Sequence, residues 1–254
     1  MKKTAEMEII WNCLMNGLRN KFGVAGVMGN LYAESSLKPN NLQNTGNKAL
    51  GLTDAQYTKA VDDETITKSS FCRDGYGYGI AQWSSRNRKE GLYTFAKMPK
   101  VSIADPYIQA HYLYSELLSS YPALQKTLMI VPNDDEGLRT ATEWFMKKFE
   151  RPADQSEKAL NKRIKYAKDI LNLFTESKEE STVSEPVKRY VRVNSKSVNI
   201  RKGPTAKHAA ITLALKGDSF PYIRKSEETG WYEIRLIDGS TGWVTNRYTS
   251  IFEG

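Results

Sequence analysis

Along the first two thirds of the chain, apolar residues recur every three or four positions. Along the last quarter they alternate with polar ones. Ile9, Ile10, Leu14 and Leu18 place an apolar face on a helix within residues 4–20. Gly23 to Glu34 predicts a second helix, rich in small residues and ending near Pro39. Residues 86–97, 105–119, 136–149 and 156–174 read as further helices. Asp105-Pro106 opens one of them with a capping residue and a proline at the first helical position. From Pro39 to Gly79 the chain is polar, with Asn and Gly scattered through it. That stretch predicts loops with one short helix near Asp54–Asp62, capped by Thr53 or Asp54. Pro122, Pro132 and Pro152 punctuate the connections.

The period changes after Glu176 to Pro186 (ESKEESTVSEP), a polar stretch without apolar periodicity that reads as a linker. Beyond it, Tyr190–Val193, Ser197–Arg201, Trp231–Arg235 and Thr241–Val244 read as short strands. Gly203-Pro204, Lys216-Gly217-Asp218 and Asp238-Gly239 mark turns between them. Closely spaced short strands suggest a small closed barrel. The expected organisation is therefore multidomain. A mainly α domain spans 1–176, a linker 177–187, and a small all-β domain 188–254.

Charge adds a direction to this picture. The chain of 254 residues carries a formal +8, and residues 188–254 hold about +6 of it, with 12 Lys or Arg against 6 Asp or Glu. Such a skew suits an anionic cell wall, an anionic lipid or a nucleic acid, and it equally suits a solvated surface. No basic helix or aromatic-basic face accompanies it, so nucleic acid is not expected as a partner. Cys13 and Cys72 are too few for a disulfide framework and read as free thiols. The two histidines, His111 and His208, fall in different predicted domains, which leaves a zinc site short of ligands. A Cys72–His111 thiol mechanism lacks a helix N-terminus to make the thiolate. No metal or cofactor is expected. The N-terminus carries no apolar signal segment, and no run of about 18 apolar residues suggests a membrane span. The expectation is a monomer made in a cytoplasm without a signal peptide and delivered to any external substrate by other means.

Two stretches carry chemistry. In Gly29-Asn30-Leu31-Tyr32-Ala33-Glu34-Ser35-Ser36, Glu34 closes an apolar helix just before a polar break. A carboxyl at the apolar edge of a cleft keeps its proton near neutrality and can give it to a glycosidic oxygen. Ser35 is expected to fix that carboxyl by a hydrogen bond. The competing reading is a surface glutamate at a helix C-terminus, where the dipole gives it no benefit. In Asp74-Gly75-Tyr76-Gly77-Tyr78-Gly79-Ile80-Ala81-Gln82-Trp83, alternating glycines demand close backbone approach or unusual dihedrals. Tyrosines with a Gln suit stacking on and hydrogen bonding to a sugar. A tight turn over core tyrosines is the alternative. No Lys follows at the spacing of a phosphate loop.

Glu-Ser at a helix end followed by Gly-Tyr-Gly-Ile-Ala-Gln-Trp resembles the phage tail-tip lysozyme family, itself similar to goose-type lysozymes and lytic transglycosylases. Gly51–Tyr57, Phe71–Trp83, Arg86–Lys89 and Phe145–Pro152 (FMKKFERP) extend the resemblance over roughly residues 5–175. It implies an enzyme acting on peptidoglycan glycan strands, with Glu34 as catalytic acid and Ser35 orienting it. Tyr78 and Gln82 are implied to face substrate, Gln82 at an N-acetyl group, with Trp83 packed under the loop. A second carboxylate stays open among Asp74, Asp62, Asp63, Glu64 and Glu150. Glu150 either points into the cleft or pairs with Arg151 or a nearby Lys. Hydrolysis and internal transglycosylation both remain open. Ser197–Thr205, Gly230–Ile234 and Gly239–Val244 are similar to the bacterial SH3-like family, which implies binding to wall stem peptides or cross-bridges. Val198, Ile200, Ile234 and Val244 are expected in its core, Trp231 and Trp243 in the core or rim, and Tyr222 and Tyr248 at the wall. The expected whole is a phage muramidase acting on Gram-positive walls, released through a membrane pore or carried in a virion. A non-catalytic wall-binding protein is the alternative from another class.

Overall fold

The computed structural model describes residues 1–97, 101–175, 189–236 and 240–253. They form two compact units, one helical and one of strands. The linker expected over 177–187 and the Asp238-Gly239 turn lie outside the described residues.

The helical unit runs α1 (Ala5–Leu18), α2 (Lys21–Ser35), α3 (Asn44–Leu50), α4 (Asp54–Asp62), α5 (Lys68–Arg73), α6 (Arg86–Lys97), α7 (Pro106–Ser120), α8 (Pro122–Ile130), α9 (Asp135–Phe145) and α10 (Glu157–Thr175). Between α9 and α10 the chain widens into a single π turn, Met146–Glu150. Helix α2 is the axis of the unit. Its residues from Gly23 to Leu31 are all buried, and α1, α8, α9 and α10 pack around it. A helix without a polar face belongs in an interior. Asn20 starts it by accepting from the Phe22 and Gly23 amides, while its Nδ2 donates to the Val131 carbonyl at 2.8 Å. Close approach to α10 needs a glycine: a Cβ at Gly29 would lie 2.7 Å from the Arg163 carbonyl oxygen.

The expected short helix is α4, and Thr53 and Gln56 close a reciprocal capping box at its start. Asp105 caps α7 by accepting from the Ile108 amide, with Pro106 in the first turn. Helices α3, α5 and α8 were not foreseen. Within α3 only Gly46 is buried, and within α5 only Phe71 and Cys72, so neither shows a helical stripe. Pro122, expected to break the chain, instead opens α8 at a position that needs no amide donor.

The second unit is an antiparallel sheet in the order β3-β2-β6-β5-β4-β1-β7. Its strands are β1 (Arg189–Val193), β2 (Ser197–Arg201), β3 (Ala210–Leu215), β4 (Ser219–Lys225), β5 (Tyr232–Arg235), β6 (Thr241–Val244) and β7 (Thr249–Glu253). Val191, Val193, Val198, Ile200, Ala214, Phe220, Ile234 and Val244 form one core. Residues from six strands meeting in a single cluster is the packing of a small barrel. β3 and β4 escape the alternation rule, one because Thr212 is the single polar residue in an otherwise apolar strand and the other because it holds Pro221.

Candidate active site

Glu34 stands on the last turn of α2, and its side chain keeps a quarter of its area exposed. It lines a cleft of about 400 Å3 together with Lys38, Asn41, Gln43, Asn44 and Gln82. The backbone is strained around it. Ser36 and Leu37 hold φ of 55° and 59°, and Gln82 holds 46°, all in the left-handed region that non-glycine residues avoid.

The glycine loop forms the other wall. Tyr78 and Trp83 exchange backbone hydrogen bonds of 3.1 and 3.0 Å, and Leu42 bridges to Tyr78, giving a miniature sheet. Gln109 on α7 fixes this sheet from below. Its Nε2 donates to the Pro39 and Ile103 carbonyls at 2.7 Å each, and its Oε1 accepts from the Ile80 amide at 2.9 Å. Gly79 sits on that amide group with φ of 77°, where a Cβ would come within 2.6 Å of Gln109 Oε1.

Several expected roles change in the structure. Ser35 does not orient Glu34. Its buried hydroxyl lies 2.8 Å from the Ile80 carbonyl and 3.1 Å from that of Leu31, so it ties the helix end to the glycine loop. Tyr78 does not face the cleft. It is fully buried, and its hydroxyl meets Thr58 Oγ1 at 2.6 Å. Gln82 does line the cleft, but its amide donates to the Asn41 and Gly79 carbonyls at 3.1 Å each. Trp83 packs under the loop, fully buried, as expected.

Asp74 is not a free carboxylate at the cleft. It pairs with the fully buried Lys89 and accepts from the Tyr57 hydroxyl and the Tyr76 amide. A buried charge needs such a partner, and here the pair holds the base of the loop. Asp62 accepts from the Ser102 hydroxyl and the Ile103 amide, and Asp63 pairs with Lys59. Burial pushes the Cys72 thiol up, opposite to the shift that activates a nucleophile.

Glu150 behaves differently. The π turn and the left-handed Arg151 that follows (φ 50°) turn its carboxyl inward. Arg151 donates to the Lys148 carbonyl and not to Glu150. Glu150 Oε1 is buried with no hydrogen-bond partner among the described residues. Its neighbours were not foreseen. Arg163 on α10 donates through Nη2 to Glu34 Oε1 at 2.6 Å. Arg88 on α6 grips Glu116 of α7 with two hydrogen bonds of 2.7 and 3.0 Å, and Trp83 Nε1 donates to the same carboxylate at 2.7 Å. Burial, then the negative charge of Glu34, pushes the Glu150 carboxyl up to about 8 against the pull of Arg88 and Arg163. The burial expected to raise Glu34 therefore acts on Glu150, while an arginine holds Glu34. A sequence signal for Arg163 existed: it interrupts the buried stripe Ala159, Leu160, Ala167, Ile170.

The cleft-edge glutamate and the Gly-Tyr-Gly hairpin both fall within the stretch that a family model matches. The model of phage tail lysozymes covers residues 5–174. The chain belongs to that family. The bacterial SH3 domain model matches residues 196–250. No curated protein and no solved structure matches the chain. The helical unit of this phage lysozyme is thus a peptidoglycan-cleaving domain, and the strand unit is a bacterial SH3 domain. Among the described residues, no helix is long and apolar enough to cross a membrane.

In the SH3 domain, Tyr248 is 52% exposed and lines a groove of about 480 Å3 with Trp231, Arg201 and Arg247. Trp231 is thus on the rim. Tyr222 is not part of that groove: it is half-buried, edge-on to Tyr232, with the Arg189 guanidinium 5.0 Å from its ring. Trp243 lies under the Arg224 guanidinium at 5.3 Å.

Proposed function

We propose that this lysozyme is a muramidase that cuts the bond between N-acetylmuramic acid and N-acetylglucosamine, with Glu34 as general acid. The observation that carries this reading is the place of Glu34. It is the one carboxylate among the described residues lining the cleft beside the Gly-Tyr-Gly hairpin. A glycosidic oxygen is a poor leaving group, and a proton delivered as the bond breaks lowers the barrier. Lys38, Asn41, Gln43 and Asn44 supply the polar edge that a sugar's hydroxyl and acetamido groups require.

A single carboxylate in the cleft also favours a second reading, lytic transglycosylation. There a sugar hydroxyl attacks internally, so no second carboxylate at the cleft is needed as nucleophile or base. For the SH3 domain we infer binding to Gram-positive wall peptide through the Tyr248 groove, where two arginines face an anionic ligand. The enzyme then acts as a phage lysin that reaches the wall through a pore or from a virion.

Mass spectrometry of products from purified Gram-positive peptidoglycan tests the reading. Reducing muropeptides released by the wild type and reduced at least ~100-fold in Glu34→Gln are expected. Anhydro-muropeptides with the same dependence on Glu34 would establish the transglycosylase. Products from peptide cleavage alone would sink both.

A further inference from the structure

The site holds a second carboxyl that no step above uses, and its surroundings are built for a proton. Glu150 Oε1 is buried without a hydrogen-bond partner among the described residues, and so is Arg163 Nε. An unsatisfied acceptor and an unsatisfied donor thus stand in one cluster, while Arg163 Nη2 holds Glu34 at 2.6 Å. Unpaired buried groups are costly and recur at functional sites. The charged groups acting on Glu150 come from four elements: Glu34 on α2, Arg88 on α6, Glu116 on α7 and Arg163 on α10. Arg88 is bound by Glu116, and Arg163 by Glu34. With those two pairs formed, the cluster is neutral only while Glu150 keeps its proton. The π turn is the local device that turns the Glu150 side chain into this cluster, since it adds a residue to the helical turn just before the left-handed Arg151.

We propose that Glu150 is a positioning residue that stores the proton Glu34 delivers, with Arg163 sharing its charge between the two carboxyls. The proposal rests on the reading of Glu34 as the acid. At rest Glu34 is a carboxylate on Arg163 and Glu150 is a carboxylic acid. Substrate entering the cleft strips water from Glu34, which favours its neutral form. The proton passes from Glu150 to Glu34, and the new Glu150 carboxylate is compensated by the Arg163 Nε–H. Glu34 then gives the proton to the glycosidic oxygen as the C–O bond breaks and the bonding pair leaves on that oxygen. Water adds to the anomeric carbon and yields a proton to Glu34, and its return to Glu150 resets the pair. One water is consumed, and no other reagent enters.

Two carboxyls sharing one proton titrate as a pair. The test is the pH–rate profile of glycan cleavage by the full chain, for wild type, Glu150→Gln, Glu150→Asp and Glu34→Gln. Wild-type activity is expected to fall as pH rises through about 8. In Glu150→Gln that limb should move at least about one unit to the acid side, with kcat at pH 7 down ~10-fold or more and KM little changed. Glu150→Asp should restore part of both. A Glu150→Gln profile superimposable on the wild type would overturn the proposal while leaving Glu34 as the acid. A fall in kcat with the limb unmoved would also overturn it, since that is the mark of a structural role. Full activity in Glu34→Gln would instead overturn the reading beneath it. Should Glu150→Gln fail to fold, carboxyl carbon NMR of the wild type decides. A Glu150 signal titrating near 8 supports proton storage, and one titrating near 4.5 overturns it.

Discussion

At the scale of single residues, the site separates two carboxyls by environment. Arg163 meets Glu34 directly, whereas Glu150 Oε1 is buried with no hydrogen-bond partner among the described residues. Opposite environments give chemically identical side chains different protonation states. This has a consequence for stability that is independent of catalysis. The Glu150 carboxyl is raised from 4.5 to about 8 in the folded chain. Between those values the unfolded chain releases the proton and the folded chain keeps it. The stabilisation is therefore full below about 4.5, declines as pH rises, and is gone above about 8. Its slope is up to about 1.4 kcal/mol per pH unit. The difference in melting temperature between wild type and Glu150→Gln, measured from pH 4.5 to 9, should shift in favour of the variant across this window. A difference that stays constant with pH would mean that Glu150 is ionised in the folded protein.

At the scale of elements, α2 is both the core of the helical unit and the arm that carries Glu34. Its distance from α10 is set where Gly29 faces the Arg163 carbonyl. Gly29→Ala puts a methyl 2.7 Å from that oxygen and must push the helices apart. Overpacking of this kind costs about 1–3 kcal/mol. The same shift separates Arg163 from Glu34, so cleavage should fall more than the loss of folded protein explains. Denaturant unfolding alongside activity per folded molecule checks this, and equal losses in both would count against it. The glycine loop shows the same economy of position. Gln109 and the Asp74–Lys89 pair hold backbone in place away from the cleft, and Ser35, which lines it, directs its hydroxyl to the Ile80 carbonyl. Residues that the sequence motif offers as substrate contacts are thus partly its scaffold.

At the scale of the molecule, a cleaving unit and a binding unit share one chain, which raises the local concentration of substrate. Tyr248→Ala removes an exposed ring from the groove beside Trp231, Arg201 and Arg247. Wall binding in a pull-down assay should weaken ~10-fold, more so at high salt where the arginines are screened. Cleavage of short soluble glycan fragments should be unchanged. Loss of both activities together would mean that Tyr248 supports folding.

The chain pattern by itself determined the two-part organisation, because helical spacing gives way to alternation after residue 176. It also offered Glu34, at the end of an apolar helix, as a cleft-edge acid against a surface glutamate, and the burial of that helix from Gly23 to Leu31 follows from its composition. Only the tertiary structure decided which polar groups serve chemistry and which serve the fold. Glu150 and Arg163 are 13 positions apart in the sequence and meet Glu34 from beyond α9. Their proximity arises from helix packing at glycine contacts and from a π turn, neither of which leaves a periodic trace. Tyr78 and Asp74 have the residue types of a sugar-binding site, yet burial and a lysine from α6 commit them to the loop's foundation. A side chain's role depends on the partners and solvent it meets, and those are properties of the packed molecule.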